Sequence, residues 1–134
     1  ILLNHGPQMA GTCTIEIDIL GPGGHAAHPY QTADTVLASA HLITALQSIV
    51  SRNLSAIESA VVTIGSIHGG SANNVIPNCV SLLGTLRYFD IAVRDRVKKR
   101  IEELSHQIAA SFNTTAKVTL TDGYIPTIND EDAT

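Results

Sequence analysis

At 134 residues, with 44% apolar side chains and no tryptophan, the chain has the length of one domain and can bury a core of its own. Its formal charge of -4 argues against a nucleic-acid partner, which calls for a basic face, and its only basic run, Lys98-Lys99-Arg100, is followed at once by Glu102 and Glu103, as on a solvated helix face. No apolar run approaches the roughly 18 residues of a membrane helix, so no membrane partner is expected, and no basic start with an apolar stretch behind it marks a signal peptide.

Cys13 and Cys79 are the only cysteines and both fall in strand-like segments. They read as buried thiols in a reducing, cytoplasmic compartment rather than as a disulfide framework. The sequence opens on Ile1 and closes on "YIPTINDEDAT". The expectation is one domain over residues 1–134, cut from a longer protein, with 1–11 and 124–134 as loop-like connections.

"TCTIEIDI" alternates. Cys13, Ile15, Ile17 and Ile19 share one face, with Thr12, Thr14, Glu16 and Asp18 on the other, which predicts a half-buried strand. A glycine-rich loop follows. From about 32 to 52 the period becomes helical, with Val36, Ala40, Ile43, Leu46 and Val50 as the stripe and Thr32 or Asp34 as the cap. "SAVVTIGSI" (59–67) predicts a second strand, "GGSANNVIPN" (69–78) a loop and "CVSLLGTLRY" (79–88) a third strand. Val80, Leu82, Leu86 and Tyr88 are assigned to its core face, with Ser81, Thr85 and Arg87 opposite. Asp90 reads as the cap of a second helix, whose stripe is Val93, Val97, Ile101, Leu104, Ile108 and Phe112. Asp95–Lys99 and Lys98–Glu102 are spaced as i,i+4 pairs on its outer side, and Asn113 suits its end. "AKVTLT" (116–121) predicts the last strand and Asp122-Gly123 a turn. The order β-α-β-β-α-β predicts an α+β, ferredoxin-like fold: a four-stranded, mostly antiparallel sheet with two helices on one face and the other face open.

The chemistry-bearing residues are sparse. His25 and His28 have H-x-x-H spacing on a loop, but a zinc site needs three or four converging ligands. No cysteine pair, H-E-x-x-H or carboxylate cluster supplies the others, so no metal site is assigned to this chain. His5, His41, His68 and His106 are scattered, and His41 and His106 read as surface or packing residues of the helices. No G-x-S-x-G elbow occurs, and Gly21-Pro22-Gly23-Gly24 lacks the rest of a phosphate-loop pattern. Three groups remain: His25 on the glycine-rich loop, Asn74 in "SANNVIP", and Arg87 near the end of the third strand. His and Asn can donate to developing negative charge, and Arg offers a planar fork to a carboxylate. Taken singly, each also has a plain reading: loop residue, turn former, surface cation.

The combination is more telling. "GPGGHAAHPYQTADTV", "ALQSIVSRN", "AVVTIGSIHGGSANNVIPN" and "GTLRYFD" occur in this order and spacing. Together they resemble the lid, or dimerisation, domain of the M20 metallopeptidase family. The nearest branch is its amidohydrolases, which act on N-acyl amino acids, hippurate and auxin conjugates. The resemblance runs from "GPQMAG" (6–11) to "YIPTIND" (124–130). It implies a ferredoxin-like domain inserted into a larger catalytic domain that holds two divalent metal ions, zinc or manganese, and a Glu acting as base toward a metal-bound water. It implies that His25 is catalytic, reaching the active site of the partner subunit in dimers and stabilising the oxyanion. It implies that Asn74 and Arg87 bind substrate, Arg87 through the carboxylate. It places Gly24 and Gly70 in the substrate-binding loops, with Gly23 and Gly69 shaping them. The implied partners are the catalytic domain of the same polypeptide, a second copy joined through strand 59–67 and helix 32–52, and a small N-acyl amino acid. The isolated chain is expected to be inactive. Tyr30 stands where the branch has His, and Thr35 follows Asp34 where the branch has Pro. These departures bear on fine specificity. The alternative is a stand-alone ferredoxin-like module for dimerisation or small-molecule binding.

Overall fold

A computed structural model describes residues 8–125 and 127–128. The alternating segment forms β1 (Gly11–Leu20). β2 (Ala60–His68), β3 (Cys79–Tyr88) and β4 (Thr115–Asp122) complete a four-stranded sheet in the order β2-β3-β1-β4. Every neighbouring pair is antiparallel. The β1–β3 ladder runs from Gly11↔Tyr88 to Leu20↔Cys79, and β1–β4 from Cys13↔Asp122 to Leu20↔Thr115. β2 lies at an edge, where 59–67 was expected, and carries a bulge: Ile64 faces Gly84, Ser66 faces Leu83, and Gly65 is the extra residue. Gly84 is required opposite it, because a Cβ there would lie 2.2 Å from the Thr63 carbonyl oxygen.

The helices α1 (Thr35–Leu46), α2 (Ser48–Asn53) and α3 (Ile91–Ser111) pack on one face. Ile15, Ile17 and Ile19 of β1 are fully buried there, with Leu82 and Leu86 of β3, Leu42, Leu46 and Ile49 of the first helical stretch, and Val97 and Ile101 of α3. Each such side chain contributes about 1.5–3 kcal/mol by leaving water. Thr14, Glu16, Leu83, Arg87, Lys117 and Thr119 on the other face are exposed. The expected ferredoxin-like layering is therefore present. No helix among the described residues is long and apolar enough to cross a membrane.

The caps follow the sequence. Asp34 accepts from the Leu37 amide at 3.0 Å and Asp90 from the Ala92 amide at 2.8 Å. Thr32, the other candidate, donates instead to the Gly23 carbonyl at 2.7 Å. Asn113 closes α3 at φ +61°, in the left-handed region that Asn tolerates. Cys13 is buried, and burial together with the nearby Asp122 carboxylate pushes its thiol above its ordinary value. It is thus a packing residue rather than a nucleophile. Cys79 is only half-buried, so the expectation of two buried thiols holds for one.

Several expectations are corrected. After a short 3-10 turn (Pro29–Gln31), the helix predicted over 32–52 is two helices, α1 and α2, separated at Gln47. There the Ser48 hydroxyl takes the Ala45 carbonyl at 2.7 Å, and the Gln47 amide bonds one residue short, to Thr44, at 3.2 Å. Its buried stripe is Thr35, Ala38, Ser39, Leu42, Leu46 and Ile49. Val36 and Ala40, assigned to the core, are exposed, and Ile43 and Val50 are half-buried. Two hydroxyls on the inner face hid the true phase. Both are satisfied, Thr35 by the Pro77 carbonyl and Ser39 by the Thr35 carbonyl, each at 2.7 Å. The i,i+4 ion pairs do not form. Lys98 reaches Asp122 of β4 at 3.2 Å, Asp95 meets Arg94 at 3.0 Å, and Arg100 meets Glu103 at 3.2 Å. A carboxylate 24 positions away is a partner that helical spacing cannot reveal. Asp122-Gly123 is not a turn. The chain runs on beside β1, with the Gly123 amide on the Thr12 carbonyl and the Thr12 amide on the Tyr124 carbonyl, both at 2.8 Å. Within the expected loop 1–11, Gln8–Met9 pairs with Thr127–Ile128; residues 1–7 and 129–134 lie outside the described residues.

Candidate functional site

The glycine-rich loop after β1 and the loop before β3 are stitched together at one end of the sheet. Gly24–His25 and Val75–Ile76 form a two-residue antiparallel ladder, Gly24↔Ile76 and His25↔Val75. The Gly21 amide donates to the Asn78 carbonyl at 3.0 Å and the Ala26 amide to the Asn74 carbonyl at 2.9 Å. The buried Thr35 hydroxyl fastens the second loop to the start of α1 through Pro77. Gly23 (φ +73°) and Gly70 (φ +93°) supply the left-handed backbone the two loops need. Gly24 serves packing: a Cβ there would lie 3.1 Å from Thr32 Cβ. Gly24 and Gly70 line a shallow groove of about 590 Å³ between the loops.

On this platform the His25 ring is exposed. Its Nδ1 accepts from the Ala27 amide at 3.0 Å, so in the neutral ring the proton resides on Nε2. The loop thereby presents one N–H donor outward, as a group that stabilises an oxyanion must. His28 lies beside it, with ring centroids 5.5 Å apart, and Tyr30 packs edge-on to His28 at 5.9 Å. The His28–Tyr30 neighbourhood was not anticipated. Its signal is the H-P-Y run after A-A, which a 3-10 turn folds back toward His25. Asn74 is held through its carbonyl and its side chain is exposed.

The structure brings His25 and Asn74 together and sets Arg87 apart. Arg87 lies opposite Thr12 of β1 and Val61 of β2, at the far end of β3 from the paired loops. Eight residues of strand, at about 3.3 Å each, place it roughly 26 Å from Cys79. It is exposed on the open face, and among the described residues no carboxylate lies within ion-pairing distance. Among the described residues no three of His, Cys, Asp and Glu converge on a point that could hold a metal ion.

Comparison with known proteins identifies the domain. Residues 9–113 match the family model of the M20 peptidase dimerisation domain. The N-acetyl-L-cysteine deacetylase of Bacillus subtilis is 44% identical over 96% of this chain and 31% of that protein. An N-acetyldiaminopimelate deacetylase of Streptococcus suis is 42% identical over 94% and 34%. A solved chain from methicillin-resistant Staphylococcus aureus superposes with a TM-score of 0.86 at 34% identity, covering 93% of this chain and 33% of that one. The Bacillus subtilis YxeP protein, described as a dinuclear metal-binding peptidase, superposes at 0.73 with 26% identity, covering 96% and 30%. This chain spans about a third of the length of the curated relatives it matches. With residues 9–113, most of its length, matched by that model, the chain belongs to the M20 peptidase dimerisation-domain family.

Proposed function

We propose that this chain is the substrate-binding lid and dimerisation domain of a longer amidohydrolase that cleaves the amide bond of N-acyl amino acids or small peptides. The observation that carries the reading is the His25 imidazole, held on two stitched loops with Nδ1 occupied by the Ala27 amide. Its Nε2–H donates to the negative charge that builds on the amide oxygen during attack. Asn74 binds the substrate beside it, Gly24 and Gly70 let the loops approach closely, and Arg87 takes the substrate carboxylate through its guanidinium fork. The deacetylase relatives support amide hydrolysis. In this reading the two divalent ions, zinc or manganese, belong to the larger domain, and the relation to a protein described as a dinuclear metal-binding peptidase supports their presence there.

The distance between the ends of the sheet supports a sharing of these groups between two protomers. An N-acyl amino acid is about two residue-lengths long, roughly 7 Å, far less than the span from Arg87 to the paired loops. One substrate meets both only if they come from different protomers. The dimer forms through the free edge of β2 and the outer side of α1, where Val36, Leu37 and Val61 are 47%, 45% and 55% exposed. Two free cysteines support a reducing, cytoplasmic setting. In the same reading, residues 1–11 and 124–134 connect to the catalytic domain.

The test is turnover of N-acetyl amino acids by the full-length protein. His25→Ala is expected to lower kcat about 10²–10³-fold, as removal of one oxyanion donor does. Unchanged kcat removes the catalytic role, and absence of hydrolysis in the wild type removes the enzymatic reading.

A further inference from the structure

The end of the sheet opposite His25 carries a second feature that neither the site nor the dimer edge uses. β1 begins there and β4 ends there: Gly11 faces Tyr88, and the Tyr124 carbonyl is bound to the Thr12 amide. Both crossings of the polypeptide therefore leave the domain at this one end. Around them lies apolar surface that the domain itself leaves bare. Ile57, at the tip of the loop before β2, is 94% exposed, and Phe89 and Ile91, between β3 and α3, are 43% and 45% exposed. Ile57 and Phe89 line one groove of about 480 Å³ with Glu58, Ser59, Asp90 and Val93. Grouped with an aromatic side chain, an isoleucine this exposed forms an apolar patch of the kind that marks a contact.

The loop is built to hold that position. The Ser55 amide donates to Glu58 Oε1 at 2.8 Å, and the Glu58 amide to the Ser55 carbonyl at 3.1 Å. Glu58 is then paired with Arg96 of α3. The turn 55–58 is closed on itself and anchored to a helix, so Ile57 is held out in a fixed place. This is an arrangement for docking against a rigid surface.

We propose that the rim formed by Ile57, Phe89 and Ile91 is the seat of the larger domain of the same polypeptide, docked through an apolar patch of that domain beside the two chain crossings. The identification of the occupant rests on the longer-polypeptide reading: the relatives carry about twice this chain's length in addition, and both connections to that remainder emerge at this rim. A tethered surface needs only a small apolar contact, because its effective concentration is already high. Arg87 lies on the same end, so this seat sets where the guanidinium stands relative to its own catalytic domain.

The experiment is amide hydrogen exchange on the full-length protein at two concentrations, comparing wild type with Ile57→Ser/Phe89→Ser. Both side chains are exposed in this domain, so the substitutions leave its core intact. Exchange at residues 56–59 and 89–91 is expected to be slower in the wild type than in the double variant by about tenfold to a hundredfold, the equivalent of one large apolar side chain leaving water. Equal exchange in the two proteins overturns the proposal. So does protection that grows with protein concentration, which assigns the rim to a second copy. Hydrolysis is assayed on the same wild-type sample. Protected loops without hydrolysis keep the docking and remove the function; hydrolysis with unprotected loops does the reverse.

Discussion

If His25 and Arg87 serve one substrate from different protomers, two inactive proteins should restore each other. The perturbation is a mixture of full-length His25→Ala and Arg87→Ala chains, dissociated and reassembled together. The geometry sets the size of the effect. Arg87 sits at the Gly11/Tyr88 end of the sheet and His25 beyond the Leu20/Cys79 end, roughly 26 Å of strand apart. In a mixed dimer, one active site receives Arg87 from one chain and an intact His25 of the partner subunit. The other active site receives neither. Random reassembly makes half of the dimers mixed, and each has one working site of two, so about a quarter of wild-type kcat is expected in a two-fold assembly. Each variant alone should remain about 10²-fold or more below wild type when assayed below saturation. The assay is release of the amino acid from an N-acetyl amino acid by the unfractionated mixture; the mixed species isolated by differential tags should reach about half of wild-type kcat. Activity of the mixture no greater than the mean of the two variants would refute the shared site and require both residues, or neither, to act within one protomer.

Three further outcomes test the fold beneath the site. Gly84→Ala places a methyl group 2.2 Å from the Thr63 carbonyl oxygen and 3.0 Å from Ile64 Cα; a loss of about 1–3 kcal/mol in urea unfolding is expected, and an unchanged midpoint would mean the bulge gives way freely. Thr35→Val leaves the Pro77 carbonyl without its 2.7 Å partner and should cost about 1–3 kcal/mol, with faster exchange at residues 74–78; intact protection there would remove the fastening role of Thr35. The hydrogen bond from Arg96, followed by that from the Ser55 amide, holds the Glu58 carboxyl below the usual carboxylate range. Its contribution is therefore present above the unfolded value of about 4.3 and is lost as pH falls through the lower folded value. Glu58→Gln should flatten the stability profile between those two values and leave it parallel to wild type near neutrality, with the difference shrinking in high salt; a profile unchanged in acid counts against the pair.

Much of the fold is legible because strands announce themselves by alternation. Cys13, Ile15, Ile17 and Ile19 specify the inner face of β1 unaided, and Asp34, Asp90 and Asn113 mark helix ends by chemistry that acts within a few residues. The first helix was harder. It is apolar on nearly every side, so its phase is set by what packs on it, and the buried Thr35 and Ser39 hydroxyls made the true inner face look polar. The ion pairs were missed for the same kind of reason: Asp122 comes to Lys98 and Arg94 from another element. At the site, the glycines around His25 and the N-V-I-P run pointed to two loops. That the loops pair residue by residue, and that Arg87 stands at the other end of the strand, are matters of register. Motif spacing carries no register, so three residues that read as one constellation are separated in the folded domain.

The bulge at Gly65 bears on a different matter, the growth of sheets. Among the described residues this sheet has two outer strands, β2 and β4. Pairing β2 with another β2 about a two-fold axis closes after one step, whereas laying β2 against β4 of the next copy repeats without limit and builds a fibre. A straight β2 would be an equally good template for both. Because the extra residue kinks the strand after Ile64, only 60–64 present an even row of backbone groups ahead of the kink. In the proposed dimer that stretch would give a short symmetric ribbon, and it is too little to sustain a polymer on backbone hydrogen bonds alone. One glycine in an edge strand of that proposed dimer would thus help to fix the assembly at a finite size.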